Sequence, residues 1–185
     1  MQLHQGDLIA IDPGDIAFLQ FPEFHKLGAS APQTEREFTP GDWDHVQDRV
    51  CYWGARYEGG RRQPVGMVPL ENYRFLTALQ DHFHKGTLWE ETDWYNWMHQ
   101  NGPSRYNTSA KIKLRLRFLE DLYASCRAGT YDMHNSDPPL INIGRAGRIA
   151  IEDGRHRICV AKAAGLRRIM VRINAVHPDH QNLGA

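Results

Sequence analysis

Between Ile141 and Val171 the spacing of apolar residues changes twice, and this stretch constrains the local structure more tightly than any other. Leu140, Ile141 and Ile143 read as a short strand, Gly144-Arg145-Ala146-Gly147 as a turn, and Ile149 and Ile151 as a second strand. After Gly154 the spacing becomes helical through Ile158, Ala161, Lys162 and Ala164, and Gly165 ends the helix. Ile169, Val171 and Ile173 return to strand spacing. The junction is Glu152-Asp153-Gly154-Arg155-His156-Arg157. A strand that passes through glycine into a helix N-terminus gathers backbone N–H groups and the positive end of the helix dipole at one spot. Here that spot also carries two arginines and a histidine. Cations at a helix N-terminus oppose the dipole by about 0.3–1 kcal/mol each. Such a cluster suits an anion-binding turn better than it suits stability alone.

The remaining chain reads as an α+β domain. Leu8 to Ile11 is a strand candidate closed by the turn Asp12-Pro13-Gly14-Asp15, and Gly28 to Glu37 reads as an exposed loop. Helices are expected over Pro69 to His84, from about Thr87 to Asn101, and from about Ser109 to a cap at Gly129. The last third is expected to form a βαβ-like unit, with residues 109–185 as the core and 1–108 as a mixed, partly helical and substrate-selecting region. The 185 residues carry 22 basic and 22 acidic side chains, so no net field draws the chain to nucleic acid or an anionic membrane. Three spaced cysteines without a CxxC pair fit a reducing compartment, and no apolar run spans a membrane, so a cytoplasmic protein is expected.

Several residues admit both a chemical and a structural role. Asp42 and Asp44 flank Trp43 in a compact turn, where they can anchor the loop or face a site. Glu90 and Glu91 precede a helix start, which carboxylates favour. Lys111, Lys113, Arg115 and Arg117 spread around their helix and read as a solvated face. Glu152 reads as a solvent-facing strand residue, and Cys159 as a small buried hydrophobe. His82/His84 and His177/His180 lack a third ligand at metal-binding spacing.

Leu122 to Gly129, Pro139 to Ile143, and Ile151 to Arg157 with Ala161, Gly165 and Ile169 to Val171 resemble the ParB/sulfiredoxin-like superfamily. Order, spacing and motif agree from about Leu116 to Ile173. The resemblance implies a nucleotide-binding fold in which Asp153, Gly154, Arg155, His156 and Arg157 contact nucleotide phosphates. Sulfiredoxins place a reactive cysteine where this chain has Arg155, so sulfinate reduction is not expected. ParB CTPases carry Gly-Glu-Arg-Arg at the turn and a helix-turn-helix DNA reader beyond; with Arg155 and His156 in place of the middle pair and little chain after the last strand, ParB-type centromere binding is not expected. Asp153-Gly154-Arg155-His156-Arg157 is nearer to the Asp-Gly-His-His-Arg of the free-serine kinases and the Asp-Gly-Gln-His-Arg of a DNA-modification-associated branch.

The resemblance therefore implies an ATP-dependent phosphotransferase, or one using another nucleoside triphosphate, acting with Mg2+ on a small hydroxylated molecule. Arg155 and Arg157 would hold phosphate oxygens bidentately. His156 would donate to a phosphate or fix the loop, and Asp153 would cap the helix or help coordinate Mg2+. Asp42, Asp44, Glu90 and Glu91 are candidates for the base that activates the acceptor hydroxyl. The alternatives are a nucleotide-sensing module without turnover, or a nuclease or CTPase acting on nucleic acid. Neutral net charge counts against the last.

Overall fold

In the computed structural model, residues 3–21, 43–46, 48, 50–51, 66–101, 108–131 and 137–180 are described. The expected loop at Gly28 to Glu37, and Asp42 with it, lie outside the described residues. Strands β1 (Leu8–Ile11), β2 (Phe18–Phe21), β3 (Gly66–Pro69), β4 (Leu140–Ile143), β5 (Ile149–Asp153) and β6 (Ile169–Val176) form one mixed sheet in the order β1-β6-β4-β5-β2-β3. The helices are α1 (Arg74–Lys85), α2 (Asp93–Asn101), α3 (Ser109–Arg127) and α4 (Arg155–Ala163). The chain is thus α+β, and strands from before and after residue 108 share one sheet. β1 pairs antiparallel with β6, and β2 pairs parallel with β5.

The last third differs from the expected βαβ-like unit. β4 and β5 form an antiparallel hairpin, closed where Gly144 N–H bonds the Arg148 carbonyl at 2.9 Å. β6 then pairs parallel to the far side of β4. β5 and β6 therefore flank β4 and run in opposite directions, with α4 crossing between them. α1 begins at Arg74, later than its apolar spacing suggests, because Leu70–Asn72 form a 3-10 turn ahead of it.

The helices cover one face of the sheet. Leu19, Val68, Ile141, Ile143, Ile151, Ile169, Val171 and Ile173 point to that side and pack with Phe75, Leu79, Ile112, Leu119 and Ile158 from the helices. Alternation along each strand sends the residues between them to the opposite face. The C-terminal end of α4 is pinned by hydrogen-bond donors, and Lys162 among them is a cation where the dipole favours one. Lys162 Nζ donates to the carbonyls of Pro13, Gly14 and Ile16 at 3.2, 2.8 and 3.0 Å, and His84 Nε2 lies 2.7 Å from the Ala163 carbonyl.

The opposite face is also buried, and much of it is polar. Asn174 Nδ2 donates to Asn142 Oδ1, and Asn142 Nδ2 donates to Glu152 Oε2 and Gln20 Oε1. Gln20 Nε2 reaches the carbonyls of Trp43 and Gly66. Glu152 is only 4% exposed, which corrects its reading as a solvent-facing residue. The alternation was right, but both sheet faces are covered. Beside this row Asp44 grips the β4–β5 turn. Its carboxylate accepts from Arg145 N–H at 2.8 Å, from Arg145 Nε at 3.0 Å and from Nη2 at 2.8 Å. Trp43 packs on His177, and the His177 Nε2 atom lies 3.9 Å from the Asp44 carboxylate.

Burial works to raise the Asp44 pKa, but the Arg145 bonds and charge outweigh it and hold the carboxyl below its usual 3.8. Its stabilisation is present above that pH and lost as pH falls through the lowered value. Removing one partner of a buried pair costs several kcal/mol, less here because Arg145 is 42% exposed. Asp44→Asn is expected to lower the unfolding free energy by about 1–3 kcal/mol at neutral pH. In urea titrations the gap from wild type should close below pH 3.8; an undiminished gap would contradict the ion-pair account.

Candidate functional site

The turn into α4 is fixed by steric closeness. Gly154 adopts φ 73° and ψ 22°, a left-handed conformation that side chains disfavour. A Cβ at this position would lie 2.8 Å from Pro139 Cβ and 2.9 Å from Pro139 Cα. The residue must therefore be glycine for two independent reasons. Asp153 accepts from the Gly154 N–H at 2.7 Å, and among the described residues no side-chain cap bond is made at the Gly154 N-cap of α4. Asp153 thus shapes the turn instead of capping the helix. The helix opens without an acidic residue in its first turn, so the positive end of its dipole is not offset from within.

The basic residues divide into two roles. Arg157 turns back to the segment before β4, where it donates to the Asp137 carbonyl and lies 3.5 Å from the Asp137 carboxylate. It ties the end of that segment to α4. His156 lies on the side facing α1 and α3. His156 packs edge-on against Phe75 of α1, with ring centroids 4.9 Å apart. Arg115 of α3 brings its guanidinium to His156 Nδ1.

That contact decides the chemistry of His156. Arginine only donates, so Nδ1 must accept, and the neutral ring carries its proton on Nε2. Burial, then the charges of Arg115 and Arg155, hold the His156 pKa well below its usual 6.5. His156 is accordingly a neutral N–H donor at physiological pH. Arg115 was read from the sequence as one of four solvated cations. Its spacing held no signal for the site; the signal is the packing of α3 against α4.

The remaining candidates lie elsewhere or serve the fold. Asp44 sits at the hairpin end of β4, whereas Gly154 adjoins Pro139 at the start of that strand. The four residues of β4 separate them, about 3.3 Å of rise each. Glu90 and Glu91 are exposed on the 3-10 turn Trp89–Glu91, and Glu91 accepts from the Leu88 N–H at 3.3 Å. Asp153 is exposed beside the turn. Among the described residues no group of three or more His, Cys, Asp or Glu is placed to hold a metal ion. The Mg2+ expectation therefore has Asp153 as its carboxylate beside the turn, a set that does not make a metal cage without phosphate oxygens.

Comparison with known proteins adds no relative: no family model, characterised protein or solved structure matches the chain.

Two outcomes follow from this geometry. Gly154→Ala should lose about 1–3 kcal/mol of stability from the left-handed backbone and the Pro139 contact; a thermal midpoint equal to wild type would contradict the close approach. The unfolded His156 takes up a proton as pH falls past 6.5 while the folded one does not. Stability therefore drops on acidification below 6.5, by up to about 1.4 kcal/mol per pH unit from this residue. Denaturant titrations of His156→Gln at pH 7 and pH 5 should show a shallower drop than wild type.

Proposed function

We propose that this chain binds a nucleoside triphosphate through its phosphates at the start of α4 and transfers the terminal phosphoryl group to a small hydroxylated molecule. The observation that carries the reading is the convergence of Arg155, Arg115 and the Nε2–H of His156 on one helix N-terminus. Donors gathered at one helix N-terminus in a partly buried setting stabilise concentrated negative charge with little reorganisation. The arginines fit planar, paired phosphate oxygens. Neutral His156 adds a directed hydrogen bond without further charge repulsion. The resemblance to the ParB/sulfiredoxin-like superfamily suggests the substrate class, and Asp153-Gly154-Arg155-His156-Arg157 is as near to its free-serine-kinase branch as to its DNA-modification-associated branch. Mg2+, bound through the phosphates with Asp153 beside it, would neutralise the charge that phosphoryl transfer develops.

The second reading is a nucleotide-binding module without turnover. It is favoured by the placement of Asp44 on the hairpin turn and of Glu90 and Glu91 on an exposed turn, since neither set has a described contact with the Gly154 junction. The two readings separate on one assay. The full chain is incubated with ATP, Mg2+ and a panel of small hydroxylated acceptors, and ADP release and ATP affinity are followed together. Acceptor-dependent ADP release supports the phosphotransferase; binding without release under any acceptor supports the module. Arg155→Ala should weaken ATP binding by about tenfold to a hundredfold, the range for one hydrogen bond to a charged group. Unaltered affinity would remove Arg155 from the site.

A further inference from the structure

Tyr73 comes from the N-terminal region of the chain, outside the segment that carries the resemblance, and stands directly before α1. It is fully buried, and its hydroxyl oxygen has no hydrogen-bond partner among the described residues. Nearly all buried hydroxyls are bonded, and an orphan calls for a specific explanation. Several contacts fix where this one sits. Cys51 runs alongside, taking the Asn72 carbonyl on its N–H at 2.9 Å and giving its carbonyl to the Arg74 N–H at 2.8 Å. The Tyr73 ring packs on Phe75 at 5.7 Å between centroids, and Phe75 in turn packs on His156. The phenol ring is therefore held in the core, one aromatic neighbour away from His156 of α4.

Its electrostatic surroundings point the same way. Burial pushes the Tyr73 pKa up, and the first charge opposing that rise is Arg155, with Arg115 also lowering it and Cys159 and Cys51 raising it. Arg155 and Cys159 lie one turn apart on α4, on the same face. The hydroxyl thus lies within the influence of both guanidiniums of the anion site. A protonated phenol there is a neutral donor, strengthened by the low local dielectric.

We propose that Tyr73 is a ligand-contacting residue whose hydroxyl donates a hydrogen bond to an oxygen of the phosphate held at the N-terminus of α4. The N-terminal region then supplies one wall of the site, from a fixed position. This inference rests on the phosphate reading above and extends it to a residue with no counterpart in the Gly154 motif.

The test is calorimetric binding of ATP and of pyrophosphate to the full chain, as wild type, Tyr73→Phe and Arg155→Ala, beside the thermal midpoint of each protein without ligand. Tyr73→Phe keeps the ring and deletes only the orphan oxygen, a change that is neutral or stabilising in the free protein. The expected result is about a tenfold rise in Kd for both probes with an unchanged or higher midpoint. Wild-type affinity in Tyr73→Phe, with Arg155→Ala weakened, would overturn the Tyr73 contact and leave the phosphate site standing. A midpoint that falls along with affinity would assign Tyr73 to packing and overturn the contact equally. Failure of wild type to bind either probe would overturn the phosphate reading itself and this inference with it.

Discussion

Gly154 passes so close to Pro139 that no side chain fits between them, and much of the architecture follows from that approach. Pro139 opens β4, and Gly154 closes β5, so the contact stacks the junction onto the start of the neighbouring strand. α4 must then leave the sheet at a fixed angle, with its first turn beside α1 and α3. Arg157 reinforces the arrangement from the other side by holding the Asp137 backbone. The left-handed conformation of Gly154 stores no penalty, because glycine adopts it freely. Any other residue there would move α4 or the strand.

The two ends of α4 use positive charge differently. At the C-terminal end, where the dipole favours a cation, Lys162 donates to three carbonyls, and His84 donates to a fourth. At the N-terminal end, Arg155 and Arg157 stand against the dipole, and Arg115 joins them from another helix. Arg157 is tied to Asp137, so its position serves the fold. His156 is kept neutral by its neighbours and by burial, which limits the repulsion in the cluster and leaves a hydrogen-bond donor. This asymmetry is the physical basis for reading the N-terminal end as a receptor and the C-terminal end as an anchor.

The junction was legible in the sequence because three signals coincided there: strand alternation before Gly154, helical spacing after it, and a glycine between. β1 was legible as the apolar run Leu8 to Ile11 closed by the turn Asp12-Pro13-Gly14-Asp15. β2 and β3 were not. Phe18-Leu19-Gln20-Phe21 carries a buried glutamine where an exposed one would keep the pattern clear, and Gly66–Pro69 begins with glycine and ends with proline, both of which read as strand breakers. Glu152 was misread because its alternation implies water on that side, whereas Asn142, Asn174 and Gln20 form a buried polar row around it. Arg115 and Tyr73 carry no local signal at all. Each is an ordinary helix or turn residue whose role depends on which helices pack together, and packing is long-range information.

What occupies the start of α4 decides the function of the molecule. The most direct measurement is a crystal structure of the full chain grown with Mg2+ and a non-hydrolysable ATP analogue. The result expected is a phosphate seated on the N–H groups of Arg155 to Arg157, within about 3.2 Å of the Arg155 guanidinium and His156 Nε2. A nucleotide bound elsewhere, with the α4 N-terminus making no phosphate contact, would contradict it.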